Sequence, residues 1–117
     1  MSIEHVLAVL PVSDITAAHA FYQQLFGRPA DNHPMPSLVE WQLVPGAWLQ
    51  VTVDTQRAGS GLFNLAVDDL DGHLRELQRR GMAVGEIQPA NKGVELSTIT
   101  DPDGNTITLI ANFRVKY

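Results

Sequence analysis

The sequence predicts an α+β protein made of two similar halves in one domain. Three observations carry this prediction. Short apolar, β-prone runs surround two stretches of helical periodicity. Each helical stretch follows an aspartate suited to capping and ends at a glycine, Gly27 or Gly81. A polar, glycine-containing segment, residues 54–61, divides the chain near its middle. The 117 residues suit a single domain spanning 1–117, with one module at about 1–55 and a second at about 60–115. A chain of this length can bury a core without disulfides or structural metal.

Residues 3–10 read as a strand that Pro11 stops. Ser13 or Asp14 then offers an N-cap, and Asp14 also suits the positive end of a helix. Ala18, Phe21, Tyr22 and Leu25 recur at helical spacing and form one apolar stripe. Gly27 suits the C′ position and Pro29 blocks continuation. Residues 28–36, rich in Pro, Asn and Asp, read as a loop with room for one short strand. Residues 37–44 and Ala47–Val53 are two further strands around a Pro45-Gly46 turn. In the second half, Leu62–Val67 is a strand. Asp69 is a cap, and Leu70, Leu74 and Leu77 make a helical stripe that Gly81 ends. Residues 82–87, 94–100 and Thr106–Ala111 read as strands, the last two joined by the turn Asp101-Pro102-Asp103-Gly104. The match of Val12-Ser13-Asp14-Ile15 to Val67-Asp68-Asp69-Leu70 supports an internal repeat.

Strand side chains alternate between faces. One face is wholly apolar: Val6, Ala8 and Leu10, then Leu49, Val51 and Val53, with Phe63, Leu65 and Val67, and Ile107, Leu109 and Ala111, in the second half. It reads as core. The other face is mixed. It carries His5, Leu7 and Val9, then Trp48, Gln50 and Thr52. The second half adds Leu62, Asn64 and Ala66, and Thr106, Thr108 and Ile110. Large apolar groups with a few neutral polar ones suit a ligand cavity. A half-solvated outer face or a dimer contact fits the same pattern.

Composition removes several functions. A net charge of −5 with few, scattered cations argues against a nucleic-acid partner. The chain has no cysteine, which excludes disulfides, thiolate metal sites and a Cys nucleophile. No signal-peptide pattern opens it and no apolar run approaches spanning length, so no membrane partner and a cytoplasmic location are expected. No nucleophile elbow, phosphate loop or dinucleotide fingerprint occurs. Asp103-Gly104 lacks the other ligands of a calcium loop and is a turn.

Three stretches resemble the vicinal oxygen chelate superfamily, which includes glyoxalase I, extradiol dioxygenases, fosfomycin-resistance enzymes and bleomycin-binding proteins. Leu10-Pro11-Val12-Ser13-Asp14 with Phe21-Tyr22 and Leu25-Phe26-Gly27 resembles the family's first strand and helix. Gly61 to Asp69 resembles the start of its second module, and Asp101-Pro102-Asp103-Gly104-Asn105-Thr106-Ile107 its last hairpin. The resemblance implies two βαβββ modules forming a U-shaped mixed sheet around a cavity, with helices on the outer face. It also implies a homodimer, with the cavity closed either within one chain or across two. Metal-using members place His or Gln on the first strand of each module and Glu on the last. Aligned by the motifs, those places hold Leu7, Gln50, Leu62 and Thr108, a set that cannot hold a divalent cation. No metal and no cofactor are therefore expected.

The candidate ligand-binding residues are Leu7, Trp48, Gln50, Leu62, Asn64 and Thr108. Trp48 offers a flat surface for an aromatic partner, or simple packing. Gln50, Asn64 and Thr108 can orient a carbonyl, amide or hydroxyl, or bond one another and water. His5 and Glu95 are the weak catalytic candidates. An imidazole at His5 could serve as a general base, but the position fits better a rim histidine satisfied by water. Glu95 would serve as acid or base only if it faced the cavity. His19 and His73 read as solvated, and His33 lies in a loop that could close over a ligand. The sequence thus supports a glyoxalase/bleomycin-resistance-like protein binding a small, partly aromatic molecule in a metal-free cavity. The alternative is a lyase, isomerase or dioxygenase-type enzyme with an atypical metal set or metal-free acid–base catalysis.

Overall fold

The structure is a computed structural model and describes residues 1–113, so the module end placed at about 115 lies outside the described residues. Module one runs β1 (Val6–Val12), α1 (Ile15–Phe26), β2 (Asn32–Met35), β3 (Leu38–Val44) and β4 (Ala47–Val53). Module two runs β5 (Leu62–Val67), α2 (Leu70–Arg79), β6 (Gln88–Pro89), a 3-10 turn at Asn91–Gly93, β7 (Glu95–Thr100) and β8 (Thr106–Ala111). Each module forms a four-stranded mixed sheet, in the orders β1-β4-β3-β2 and β5-β8-β7-β6. In each, the first strand pairs parallel with the last and the remaining pairs are antiparallel. The same βαβββ plan therefore occurs twice. No helix among the described residues is long and apolar enough to cross a membrane.

Local chemistry explains the helices. The Asp14 carboxylate accepts from the backbone N–H groups of Thr16 and Ala17, at 2.9 and 3.3 Å, and so satisfies two donors that the first turn leaves unpaired. Gly27 closes α1 at φ 72, where a side chain is strained. A Cβ there would also lie 2.7 Å from the Arg80 guanidinium, the movable end of a side chain reaching across from module two, so the positive φ is the main demand for glycine. Asp69 caps α2 by accepting from Gly72 N–H. The predicted stripes are buried, Ala18, Tyr22 and Leu25 on α1 and Leu70, Leu74 and Leu77 on α2, except that Phe21 is only half-buried at the edge of the core.

Two expectations about strands are corrected. Pro11 does not stop β1, which continues to Val12 with Pro11 opposite Thr52. β1 is an edge strand. The Pro11 carbonyl points away from β4 and accepts from Asn105 Nδ2 at 2.7 Å. An N–H at Pro11 would point the same way, so its absence costs no ladder bond. Residues 82–87 are not a strand, and only Gln88–Pro89 pairs with β7. Met82 is buried, and Gly85 runs so close to β7 that a Cβ would sit 2.7 Å from the Thr98 carbonyl. Isolated bonds from Gly85 N–H to Thr98 O and from Ser97 Oγ to Gly85 O replace a regular ladder.

The buried residues of both modules form one cluster, from Leu10, Tyr22, Trp41 and Leu49 to Leu74, Ile99, Ile107 and Leu109. The apolar faces of both sheets turn to this shared interior and the mixed faces turn away from it. Val6 is corrected, since at the start of β1 it lies beyond the core and is 63% exposed. Polar groups at the seam join the modules. Tyr22 Oη donates to Asp101 Oδ2 at 2.8 Å. Asn105 donates to both Pro11 O and Asp101 Oδ2 and accepts from Gly61 N–H. Ser13 donates twice to Asp103, and Arg80 donates to the carbonyls of Gln24 and Leu25 at the end of α1. Burial, reinforced by the bond to the Asp101 carboxylate, holds the Tyr22 hydroxyl far above its ordinary pKa.

Candidate ligand-binding site

Strand register sets the rows of each mixed face. On module one, Leu7 lies opposite Trp48, and Trp48 opposite Gln42. The next row is Val9, Gln50 and Glu40. On module two, Leu62 lies opposite Thr106, and the next row is Asn64, Thr108 and Thr98. The six predicted ligand-binding residues therefore gather as two groups of three. Leu7, Trp48 and Gln50 share one sheet; Leu62, Asn64 and Thr108 share the other. A single chain does not close these groups on each other: Leu7 is 53% and Leu62 82% exposed.

Module one's face has a fixed polar pair. Gln50 Nε2 donates to Glu40 Oε2 at 2.6 Å, and Asn32 Nδ2 reaches Glu40 Oε1 at 3.3 Å. This orients the Gln50 carbonyl and leaves it to accept from an incoming donor. Sequence reasoning missed Glu40. The signal was present, because alternation along Leu38–Val44 puts Glu40 and Gln42 on the face of Leu38 and away from buried Val39 and Trp41. The pair stands beside Trp48, whose ring meets His5 edge-on at 6.5 Å. His5 is exposed just before β1, at the rim.

The other titratable candidates lie elsewhere. Glu95 is opposite Ala111 and shares its parity with buried Ser97 and Ile99. It is therefore on the core side of β7 and not on the mixed face, which corrects the condition under which it would serve as acid or base. His19 is not solvated in the way its position off the stripe suggested. Its Nε2 is buried with no hydrogen-bond partner among the described residues, and its ring packs edge-on to Trp41 at 5.6 Å. His33 belongs to β2 and meets the His19 ring at 5.9 Å, beside α1. His73 is half-exposed and lies 3.4 Å from Asp68 Oδ1.

The donor chemistry at Leu7, Gln50, Leu62 and Thr108 does not fit a divalent cation. Two of the four have no lone pair to give, and the other two are neutral oxygen donors on different sheets. Among the described residues no three His, Asp or Glu side chains come together as a metal-holding group.

Comparisons with known proteins agree with this architecture. Residues 7–110 match the family described as the glyoxalase-like domain. A glyoxalase/bleomycin resistance protein from Catenulispora acidiphila DSM 44928 is 31% identical, with 92% of this chain and 96% of that chain covered and a TM-score of 0.85. TnmS3, an antibiotic binding protein from Streptomyces sp. CB03234, is 28% identical over 95% of this chain and 98% of that chain, at a TM-score of 0.75. A bleomycin-binding protein complexed with bleomycin shares the fold at 21% identity, with 92% and 98% covered and a TM-score of 0.76. No protein of curated function matches the chain.

Proposed function

This chain belongs to the glyoxalase-like domain family, and on that premise we propose that it binds a small, partly aromatic molecule without a metal ion. The observation that carries this reading is the outward face of module one. There an indole, Trp48, stands next to an amide–carboxylate pair, Gln50 and Glu40, held at 2.6 Å. A ring can stack on Trp48 while the Gln50 carbonyl and the free lone pairs of Glu40 accept from donors on the ligand. The apolar neighbours Leu7 and Val9 supply desolvation. The antibiotic binding of TnmS3 and the bleomycin binding of the similarly folded protein support a sequestering role of this kind.

A homodimer is part of the proposal, as is a cytoplasmic location. The two mixed faces of one chain turn outward, so a cavity that uses both needs module one of one copy against module two of another. Exposed apolar groups on the edge strands β1 and β5, Leu7, Val9 and Leu62, support such a contact. Light scattering should give twice the 12.8 kDa chain mass, and Leu62→Glu should lower it to one chain. A wild-type mass of 12.8 kDa would remove the dimer.

The binding itself is tested by thermal shift against an antibiotic and aromatic-metabolite library. A ligand at a hundredfold excess over its Kd should stabilise the fold by about 2.7 kcal/mol, and Trp48→Ala should abolish the shift. Indifference to the whole library, or a shift that survives Trp48→Ala, would count against this reading.

A further inference from the structure

Beyond the row of Asn64 and Thr108, the mixed face of module two ends in a cleft of about 440 Å³. Its floor is Leu96 and Ile110, which lie opposite each other in the β7–β8 ladder. Ala90, Val94 and Phe113 form apolar walls, and Asn91 and Lys92 stand at its edge. The turn that presents Lys92 is firmly built. Lys92 and Gly93 both have positive φ, 60 and 77. Ala90 N–H donates to Val94 O at 2.7 Å, and Asn112 Nδ2 holds the Gly93 carbonyl at 3.1 Å. A left-handed backbone at a lysine is uncommon and has to be held by such contacts.

The charge at this edge is not neutralised. Arg28, Arg57, Arg79 and Arg80 each pair with a carboxylate. Lys92, like Arg75 on α2, makes no ion pair among the described residues, and of these two only Lys92 stands beside the apolar cleft. An apolar floor beside an unpaired ammonium is complementary to a molecule with an apolar body and an anionic group.

We propose that the Lys92 cleft takes the anionic end of an amphipathic organic ligand, with Leu96 and Ile110 under its apolar part. The inference rests on the reading of the mixed faces as a ligand surface and adds the charge class of what they take.

Two fluorescent probes with the same ring system test it: anilinonaphthalene sulfonate, an anion, and phenylnaphthylamine, its uncharged counterpart. Both are titrated into the full chain. Lys92→Asn removes the charge while keeping a residue that tolerates positive φ. It should weaken the sulfonate about threefold to tenfold and leave the neutral probe within about twofold. Lys92→Arg should restore the sulfonate, and Leu96→Ser should weaken both probes. Equal binding of the sulfonate by wild type and Lys92→Asn overturns the inference, as does parallel weakening of both probes by Lys92→Asn, or failure of either to bind wild type. Trp48→Ala separates this inference from the wider reading. Neutral-probe binding that is lost in Leu96→Ser but untouched by Trp48→Ala would leave the cleft standing and remove the shared cavity.

Discussion

The two modules share a backbone plan and differ in what they place on it. Module one buries aromatic groups: Tyr22 and Trp41 are inaccessible, and Phe26 packs 5.6 Å from Trp41. Its outward face carries an indole and a hydrogen-bonded carboxylate. Module two buries aliphatic groups, Leu70, Leu74, Leu77, Ile99, Ile107 and Leu109, and its outward face is neutral apart from the Lys92 edge. A repeated βαβββ unit thus keeps its ladder pairing and its helix caps while the side chains on both faces diverge. Pairing depends on backbone groups, which any sequence supplies. Recognition depends on side chains at a few rows.

The comparison can be broken most forcefully at Trp41. If both modules fold around one core, Trp41→Ala should cost about 4 kcal/mol and shift the unfolding of the whole chain in one transition. Chemical denaturation followed by both far-UV dichroism and hydrogen exchange in module two would measure this. Separate transitions for the halves would show that the core is not shared.

The seam is the next test. Tyr22→Phe removes the donor to buried Asp101 Oδ2, which keeps Asn105 as its partner there, and should cost about 1 to 2 kcal/mol. The pH dependence has a definite sign. A phenol whose folded pKa is raised contributes fully below the unfolded tyrosine value, near pH ~10, and its contribution falls as pH rises above that value. Wild type should therefore lose stability above about pH 10 more steeply than Tyr22→Phe. Equal slopes would show that Tyr22 ionises as freely in the folded chain as in the unfolded one.

A change on an outward face should behave differently. Glu40→Gln removes the charge beside Gln50 and should alter stability by less than about 1 kcal/mol, because the pair is partly solvated. It should nevertheless change which ligands give a thermal shift. A large loss of stability would assign Glu40 to the scaffold. The smallest effect is expected at Asp31, an exposed carboxylate held below its ordinary pKa by Arg28 and by the Gln42 N–H. Its contribution is present above the unfolded aspartate value and is lost as pH falls through the folded one. Asp31→Asn should slightly lower stability at neutral pH, flatten the acid limb and converge with wild type at the acid end, because the contribution it removes is present only above the folded value.

Much of this was legible in the sequence. The two helices, their aspartate caps, Gly27, and the strands Ala47–Val53, Leu62–Val67 and Thr106–Ala111 follow from periodicity and turn chemistry, which are local. The assignment of the apolar face to the core follows from alternation. What could not be read depended on neighbours. Pro11 looks like a terminator until β1 is known to be an edge, and residues 82–87 look like a strand until Gly85 is seen pressed on the Thr98 carbonyl. The direction of Glu95 turns on register, which its own strand does not state. The partition of the candidate site into two outward groups depends on which way the modules pack, and no short motif encodes that.

Pro11 has a further consequence. A bare apolar edge strand invites another chain to add to it, then another, until a fibre grows. At Pro11 that edge has no amide hydrogen to offer, and its carbonyl is already taken by Asn105. Strand addition along β1 therefore meets a gap in the template, so apolar side chains can stay exposed there for recognition while open-ended polymerisation is discouraged.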